Sequence, residues 1–244
     1  LIGFISLIIN FFYPLSLTIN NILFIIIVFT AIKFGFFNQD NKKLIKRAIC
    51  ISSLSFIFII HSNVNTPDAL LYHLPYSKIV NEHKIIIGVS NLHSRFGFIT
   101  IFQYISSFFN NSIFQTNGLL LPVALLVSNF LFYLFRVFRV DFKNTSSRIK
   151  SYFVFLIIIF SLYSFNRYSG YGNDAQAHIY YFLILIYLLE FFINKKNNMN
   201  IQKIFIFCLF TFLLKPFYII SITIPIIILL LIKDKQKIFE YSFS

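Results

Sequence analysis

Acidic residues are scarce in this chain. Eight Asp and Glu stand against 21 Lys and Arg over 244 residues, which leaves a formal net charge of +13. Tryptophan is absent, methionine occurs once and cysteine twice. Cys50 and Cys208 each lie inside an apolar run, which suits two packing thiols and does not suggest a disulfide. The shortage of acid would raise a nucleic-acid partner in a soluble protein. Here the basic residues cluster between apolar runs, as in cytoplasmic loops of membrane proteins, so no nucleic acid is expected.

What is abundant is oil. Hydrophobic residues make up 58% of the chain, and the mean hydropathy is +0.78. Phe alone occurs 35 times, and the bias toward Ile, Phe, Lys, Asn and Tyr fits an AT-rich genome. Aromatic abundance is therefore discounted as a sign of a ligand site. Apolar runs near spanning length recur, which predicts an all-α, polytopic transmembrane bundle. Open sheets cannot cross lipid because their edges would go unpaired. The runs are also too long and unbroken for barrel strands of about 10 residues.

Four basic clusters orient the chain: 38–47 with four Lys/Arg, 136–150 with five, and 194–203 and 233–237 with three each. All are expected to be cytoplasmic. Crossings then fall at 1–13, 17–36, 46–61, 118–138, 151–166 and 175–193. The stretches 62–117 and 167–174 are left outside. The reading treats 1–244 as a single transmembrane domain. It has N-terminal helices (1–45), a core (46–232) and a cytoplasmic tail (233–244). A start at Leu1 inside an apolar run and an end at "EYSFS" fit a piece of a longer protein.

The segment 204–232, "IFIFCLFTFLLKPFYIISITIPIIILLLI", lies between two cytoplasmic clusters. It is too short for two full crossings of about 20 residues each. Pro216 breaks helical continuity, which predicts a short re-entrant-like hairpin with Lys215 at its top. A lysine at membrane depth costs about 2.5–3.5 kcal/mol on insertion scales. Snorkelling, a nearby carboxylate or a lipid phosphate could each satisfy it.

The outer loop 62–117 carries the chemistry-bearing residues. Leu70, Leu71, Leu74, Ile79 and Val80 predict an amphipathic helix, kinked at Pro75. Residues 98–109 are apolar enough to form an interfacial helix. Such a loop can roof a cavity. Asp68 is either a general base at the cavity mouth or a helix N-cap. On an α-helix Tyr72 shares its face, while His73 is rotated from it by about 140°. "SNLHSRFGF" (90–98) offers Asn91, His93 and Arg95 to an anion such as phosphate, or is simply a polar turn. "NRYSGYGNDAQAH" (166–178) offers Tyr171 and Asp174 to a sugar, or caps the next helix. All five histidines (61, 73, 83, 93 and 178) fall on the outer side of this map.

In order, "PDALLYHLPYSKIVNEHKIIIGVSNLHSRFGF" and then "FLLKPFYIISITIP" resemble the GT-C superfamily of integral-membrane glycosyltransferases. That superfamily includes protein O-mannosyltransferases and bacterial lipid A sugar transferases. The resemblance covers about residues 46 to 232. It is nearest to a bacterial subgroup with an Asp-x-x-x-Tyr-His stretch followed by Asn-Leu-His-x-Arg-hydrophobic-Gly. It implies a polyprenyl-phosphate-linked sugar donor and a glycan, lipid or protein acceptor. It also implies transfer with inversion on the outer side of the cytoplasmic membrane. Asp68 would activate the acceptor hydroxyl and Asp174 would be a second carboxylate. Lys215 and Arg95 would face the lipid phosphate, with Tyr72, His73, Asn91, His93 and Tyr171 as further binding residues. Some members bind a divalent metal; no ligand set here points to one. The family usually has more crossings and often a soluble C-terminal part. Competing readings are a transporter or flippase for lipid-linked or small polar solutes, and a non-catalytic membrane assembly subunit.

Overall fold

The computed structural model describes residues 1–33, 39–62, 67–97, 100–144, 147–193 and 198–231. The tail 233–244, with its basic cluster, lies outside the described residues. Among the described residues the chain is helical, without strands. The α-helices are α1 (Ile2–Phe12), α2 (Leu17–Lys33), α3 (Gln39–Ser62), α4 (Leu74–Glu82), α5 (Ile101–Phe108), α6 (Leu121–Asp141), α7 (Arg148–Tyr163), α8 (Asp174–Ile193), α9 (Asn198–Leu214) and α10 (Thr223–Leu231). Three stretches are long and apolar enough to cross a membrane: Lys42–Ser62, Gln115–Asp141 and Asp174–Ile193. They coincide with three of the expected crossings. The chain forms two compact units, one of Leu1–Leu131 with Tyr163–Ala175, the other of Phe132–Leu162 with Gln176–Ser244.

The first unit is organised around the corner between α1 and α2. Pro14 separates these helices, and the corner's freed carbonyls are taken up by asparagine amides. Asn20 Nδ2 donates to the carbonyls of Leu15 at 2.9 Å, Ser107 at 2.9 Å and Asn110 at 2.8 Å. Asn81 Nδ2 reaches Leu15 O at 2.6 Å and Ser107 O at 3.1 Å. Asn10 Nδ2 reaches Val80 O at 3.1 Å and His83 O at 3.0 Å. Backbone bonds from Leu15 N to Val80 O and from Ile85 N to Asn10 O, 3.0 and 2.9 Å, close the seam. The stretch from α4 to Asn110 is thus fastened to the first two helices.

Apolar packing follows the same lines. Leu15, Tyr76, Val80, Val89, Phe96 and Tyr104 form one buried cluster. The Tyr76 and Tyr104 hydroxyls meet at 3.3 Å inside it. Gly3 lets α1 approach α5 closely; a Cβ there would lie 2.8 Å from Ile105 and 2.9 Å from Ile101. Helix α5 is therefore packed on α1, with Ile101, Phe102, Tyr104 and Phe108 buried. Of the stretch 98–109 expected to be an interfacial helix, Ile101–Phe108 is helical. The expected apolar face of the helix near 70–80 shifts. Tyr76, Ser77 and Val80 are buried, while Leu70 and Leu71 are exposed.

The second unit buries Ile184, Phe191, Ile201, Ile204, Cys208 and Ile228 between α8, α9 and α10. The Tyr187 and Phe207 rings stack at 5.7 Å, and Lys203 Nζ sits 4.9 Å from the Tyr187 centroid. Helicity breaks at Lys215, whose backbone is extended (φ −151°, ψ 108°), and resumes in a 3-10 turn, Pro216–Ile222. The break falls where Pro216 cannot donate a backbone bond. Lys150 was grouped with the basic loop charges, but it is buried. Its Nζ lies 2.7 Å from Asp141 Oδ2 and 3.6 Å from Glu190 Oε2, tying α6, α7 and α8 together.

Two substitutions test these ties. Asn20→Ala leaves the Asn110 carbonyl without its donor and Leu15 O and Ser107 O with Asn81 alone, and should lower stability by about 1–3 kcal/mol, the cost of one buried unsatisfied group. Lys150→Met leaves two half-buried carboxylates without their cation and should cost about 2–3 kcal/mol, less than a fully buried pair. Adding Asp141→Asn and Glu190→Gln should restore most of the Lys150→Met loss. Thermal unfolding in lipid nanodiscs reads both, and an unchanged midpoint would contradict the corresponding tie.

Candidate functional site

The site is built on a short π-turn, Ala69–His73, that runs directly into α4. Its cause is local. Pro75 has no N–H to give to Leu71 O, so the α-type bond at that point is lost. The bond that forms instead runs from Leu74 N to Ala69 O, an i→i+5 bond. Pro75 sits in the first turn of α4, directly after the π-turn, within helical backbone that runs unbroken from 67 to 82.

This turn changes which side chains meet. In a π-turn each residue advances less than in an α-helix, so five positions carry His73 about 50° from Asp68 instead of about 140°. The expectation that His73 faces away from Asp68 is corrected on this ground. Asp68 makes no capping hydrogen bond at the turn. Its carboxylate acts on Tyr72 instead. Burial, hydrogen bonding toward Asp68 and the Asp68 charge push the Tyr72 hydroxyl up to about 12, so it stays protonated.

Three further side chains gather on the Tyr72 ring. His73 lies tilted beside it, with centroids 4.2 Å apart. His93 lies nearly parallel at 6.3 Å. The Arg95 guanidinium sits 5.4 Å from the ring centroid, within cation–π range. His93 is fixed in turn by Phe96, with centroids 5.4 Å apart. The Arg95 backbone N–H donates to His93 Nδ1 at 3.2 Å. A neutral His93 then carries its proton on Nε2 and offers a donor. Among the described residues Arg95 has no carboxylate within ion-pair distance. Asp68 and Arg95 are exposed.

His73 is the buried member, 9% exposed. Its Nδ1 has no hydrogen-bond partner, and its Nε2 lies 3.0 Å from where a Cβ on Gly172 would stand. A side chain there would press the imidazole aside by a few tenths of an ångström. Gly172 follows Tyr171, which adopts a left-handed backbone (φ 57°) that non-glycine residues rarely take. The same strand of chain delivers Asp174 at the start of α8. Its charge acts on both Tyr72 and His73. Burial lowers His73 to about 4 although Asp68 and Asp174 oppose it, so the ring is neutral at physiological pH.

The structure thus brings Asp68, Tyr72, His73, His93, Arg95 and Asp174 together, with Tyr171 beside them through Gly172. Asn91 does not join; it is exposed and closes its own turn through N–H to Gly88 O at 2.9 Å. Lys215 belongs to the other unit. Among the described residues no three His, Cys, Asp or Glu side chains converge to hold a metal ion, so no step is routed through one. Gly172 was missed by sequence reasoning. Its only signal was the density of small residues in "SGYGN".

The whole chain, residues 1–244, matches the family described as Domain of unknown function (DUF8201), and it belongs to that family. No curated protein and no solved structure matches it.

The buried imidazole makes stability depend on acid. His73 titrates near its usual 6.5 when unfolded and at about 4 when folded, so the unfolded chain binds the extra proton in between. Its contribution is present above about pH 6.5 and is lost as pH falls toward 4, by roughly 3 kcal/mol at most. Thermal midpoints measured from pH 7 to 4.5 should fall more steeply for the native chain than for His73→Gln. Parallel slopes would contradict a buried neutral His73.

Proposed function

We propose that this member of the DUF8201 family is a multi-pass membrane glycosyltransferase. In this reading it moves a sugar from a polyprenyl-phosphate donor to an acceptor hydroxyl on the outer side of a bacterial cytoplasmic membrane. The observation that carries the reading is the convergence of a carboxylate, a tyrosine, two histidines and an unpaired arginine on one π-turn. A membrane setting is supported by the outward apolar faces. Ile49, Leu54, Ile57 and Phe58 on α3, and Phe155, Leu156, Ile159 and Phe160 on α7, are all exposed. Left in water, each forgoes about 1.5–3 kcal/mol of burial; lipid removes that penalty.

The residues suit an inverting displacement. The acceptor oxygen attacks the anomeric carbon, forming the new C–O bond while the bond to the phosphate oxygen breaks. The acceptor proton passes to the Asp68 carboxylate, whose orientation Tyr72 holds by donating to it. The electron pair leaves with the polyprenyl phosphate, and Arg95 with the Nε2–H of His93 offsets the growing charge there. Asp174 orients the acceptor. The break at Lys215 supports a re-entrant-like hairpin in the second unit, where Lys215 offers a cation to a lipid phosphate.

Reconstitution in vesicles with a synthetic polyprenyl-phosphate hexose tests the reading. Asp68→Asn should slow transfer about 10²–10⁴-fold, the range for a general base. Tyr72→Phe should slow it about tenfold, one hydrogen bond's worth. Unchanged transfer in both Asp68→Asn and Lys215→Ala would sink the mechanism. Donor moved across the bilayer with no glycosidic bond made would favour transport instead.

A further inference from the structure

The other side of the π-turn borders a cavity of about 930 Å³, wholly within the first unit. That is at the upper end of small-molecule sites, which run about 300–1,000 Å³. Leu70, Leu74 and Pro75 form its apolar wall, and Thr18, Thr116 and Tyr171 stand among its polar lining.

Three features select its ligand. First, charge cancels. Its ionisable acid and base are Lys78 and Glu82, whose charged atoms lie 3.8 Å apart as an exposed i,i+4 pair. A free phosphate or carboxylate finds no unbalanced cation there. Second, hydroxyls are left over. Asn81 and Asn110 spend amide hydrogens on the loop seam, but no hydrogen bond within the described residues engages the side chains of Thr18, Thr116 or Tyr171. Third, Tyr171 is held in its left-handed conformation at the cavity wall. Backbone strain of about 1–3 kcal/mol persists where the surroundings fix a residue, as at ligand clamps. Hydroxyl and amide partners with a flat aromatic and aliphatic wall match a polyhydroxylated ring with apolar C–H faces. They do not match a hydrocarbon tail, which would leave those hydroxyls without partners.

We infer that this cavity binds a neutral saccharide, with Tyr171 as its platform and Thr18 and Thr116 as hydrogen-bonding residues. Its role as the acceptor subsite rests on the transferase reading: the Tyr171–Gly172 turn that walls the cavity also seats His73. Binding itself needs no donor and is measured apart from transfer.

The absence of tryptophan makes the test clean. Tyr171→Trp places a single indole at the cavity wall and keeps an aromatic platform. In phosphatidylcholine nanodiscs free of sugar detergents, it is titrated with maltotriose, cellotriose and triacetylchitotriose. Saturation-transfer NMR on the unmodified chain is run with the same sugars. A saturable response to at least one trisaccharide, weakened about tenfold when Thr18→Ala and Thr116→Ala are combined, is the expected result. Silence toward all three by both methods overturns the inference, as does an equal response to inorganic phosphate. Trisaccharide binding by a chain that transfers no sugar would remove the transferase reading and leave this site. Transfer to a non-glycan acceptor with no trisaccharide binding would do the reverse.

Discussion

The seam of asparagine amides that joins the α1–α2 corner to α4 and α5 is the interaction on which the rest of the first unit depends. A proline corner and a loop of short helices both leave carbonyls without partners. In an apolar surrounding these cannot turn to water, and each orphan is expensive. Asn20 and Asn81 meet on the same two carbonyls, Leu15 and Ser107. That shared use fixes the N-terminal end of α2 and the C-terminal ends of α4 and α5 at one point. Because α4 continues straight out of the π-turn, fixing α4 also fixes Tyr72 and His73.

Much of the helical layout was legible in the sequence. Long apolar runs and basic punctuation located the helices, and Lys215-Pro216 located the break in 204–232, because those signals are local. The seam was not legible. Asn10, Asn20 and Asn81 look like tolerated polar residues in oily helices, and nothing local says that their partners lie some 70 or 90 positions away. Lys150 misled for a related reason. A lysine among loop cations reads as solvated until Glu190, 40 residues on by number, is seen beside it. Long-range pairing of polar groups leaves no periodic trace.

The site was half legible. The sequence marked Asp68, Tyr72, His73, His93, Arg95 and Asp174 as a list, and α-helical spacing put Asp68 and Tyr72 on one face. It separated His73 because α-geometry was assumed throughout. The corrective was already in the text of the chain: Pro75 forbids the α-bond to Leu71, and one residue of slack there is what a π-turn absorbs. π-turns recur at functional sites for this reason, since they re-aim a side chain without ending the helix.

The two sides of that turn carry opposite electrostatic characters, and this follows from which residues each uses. On one side a carboxylate and a guanidinium are exposed, while Tyr72 is held protonated and His73 neutral by burial. Charge there is free to change when a proton or a phosphate arrives. On the other side Lys78 and Glu82 cancel and the hydroxyls are uncharged. A π-turn whose two faces differ in this way can hold a charged reacting group and a neutral partner close together without exposing either to the wrong environment. An α-turn over the same residues would swing His73 away from Asp68 and blur that division, so the single missing N–H of Pro75 sets the chemistry on both sides.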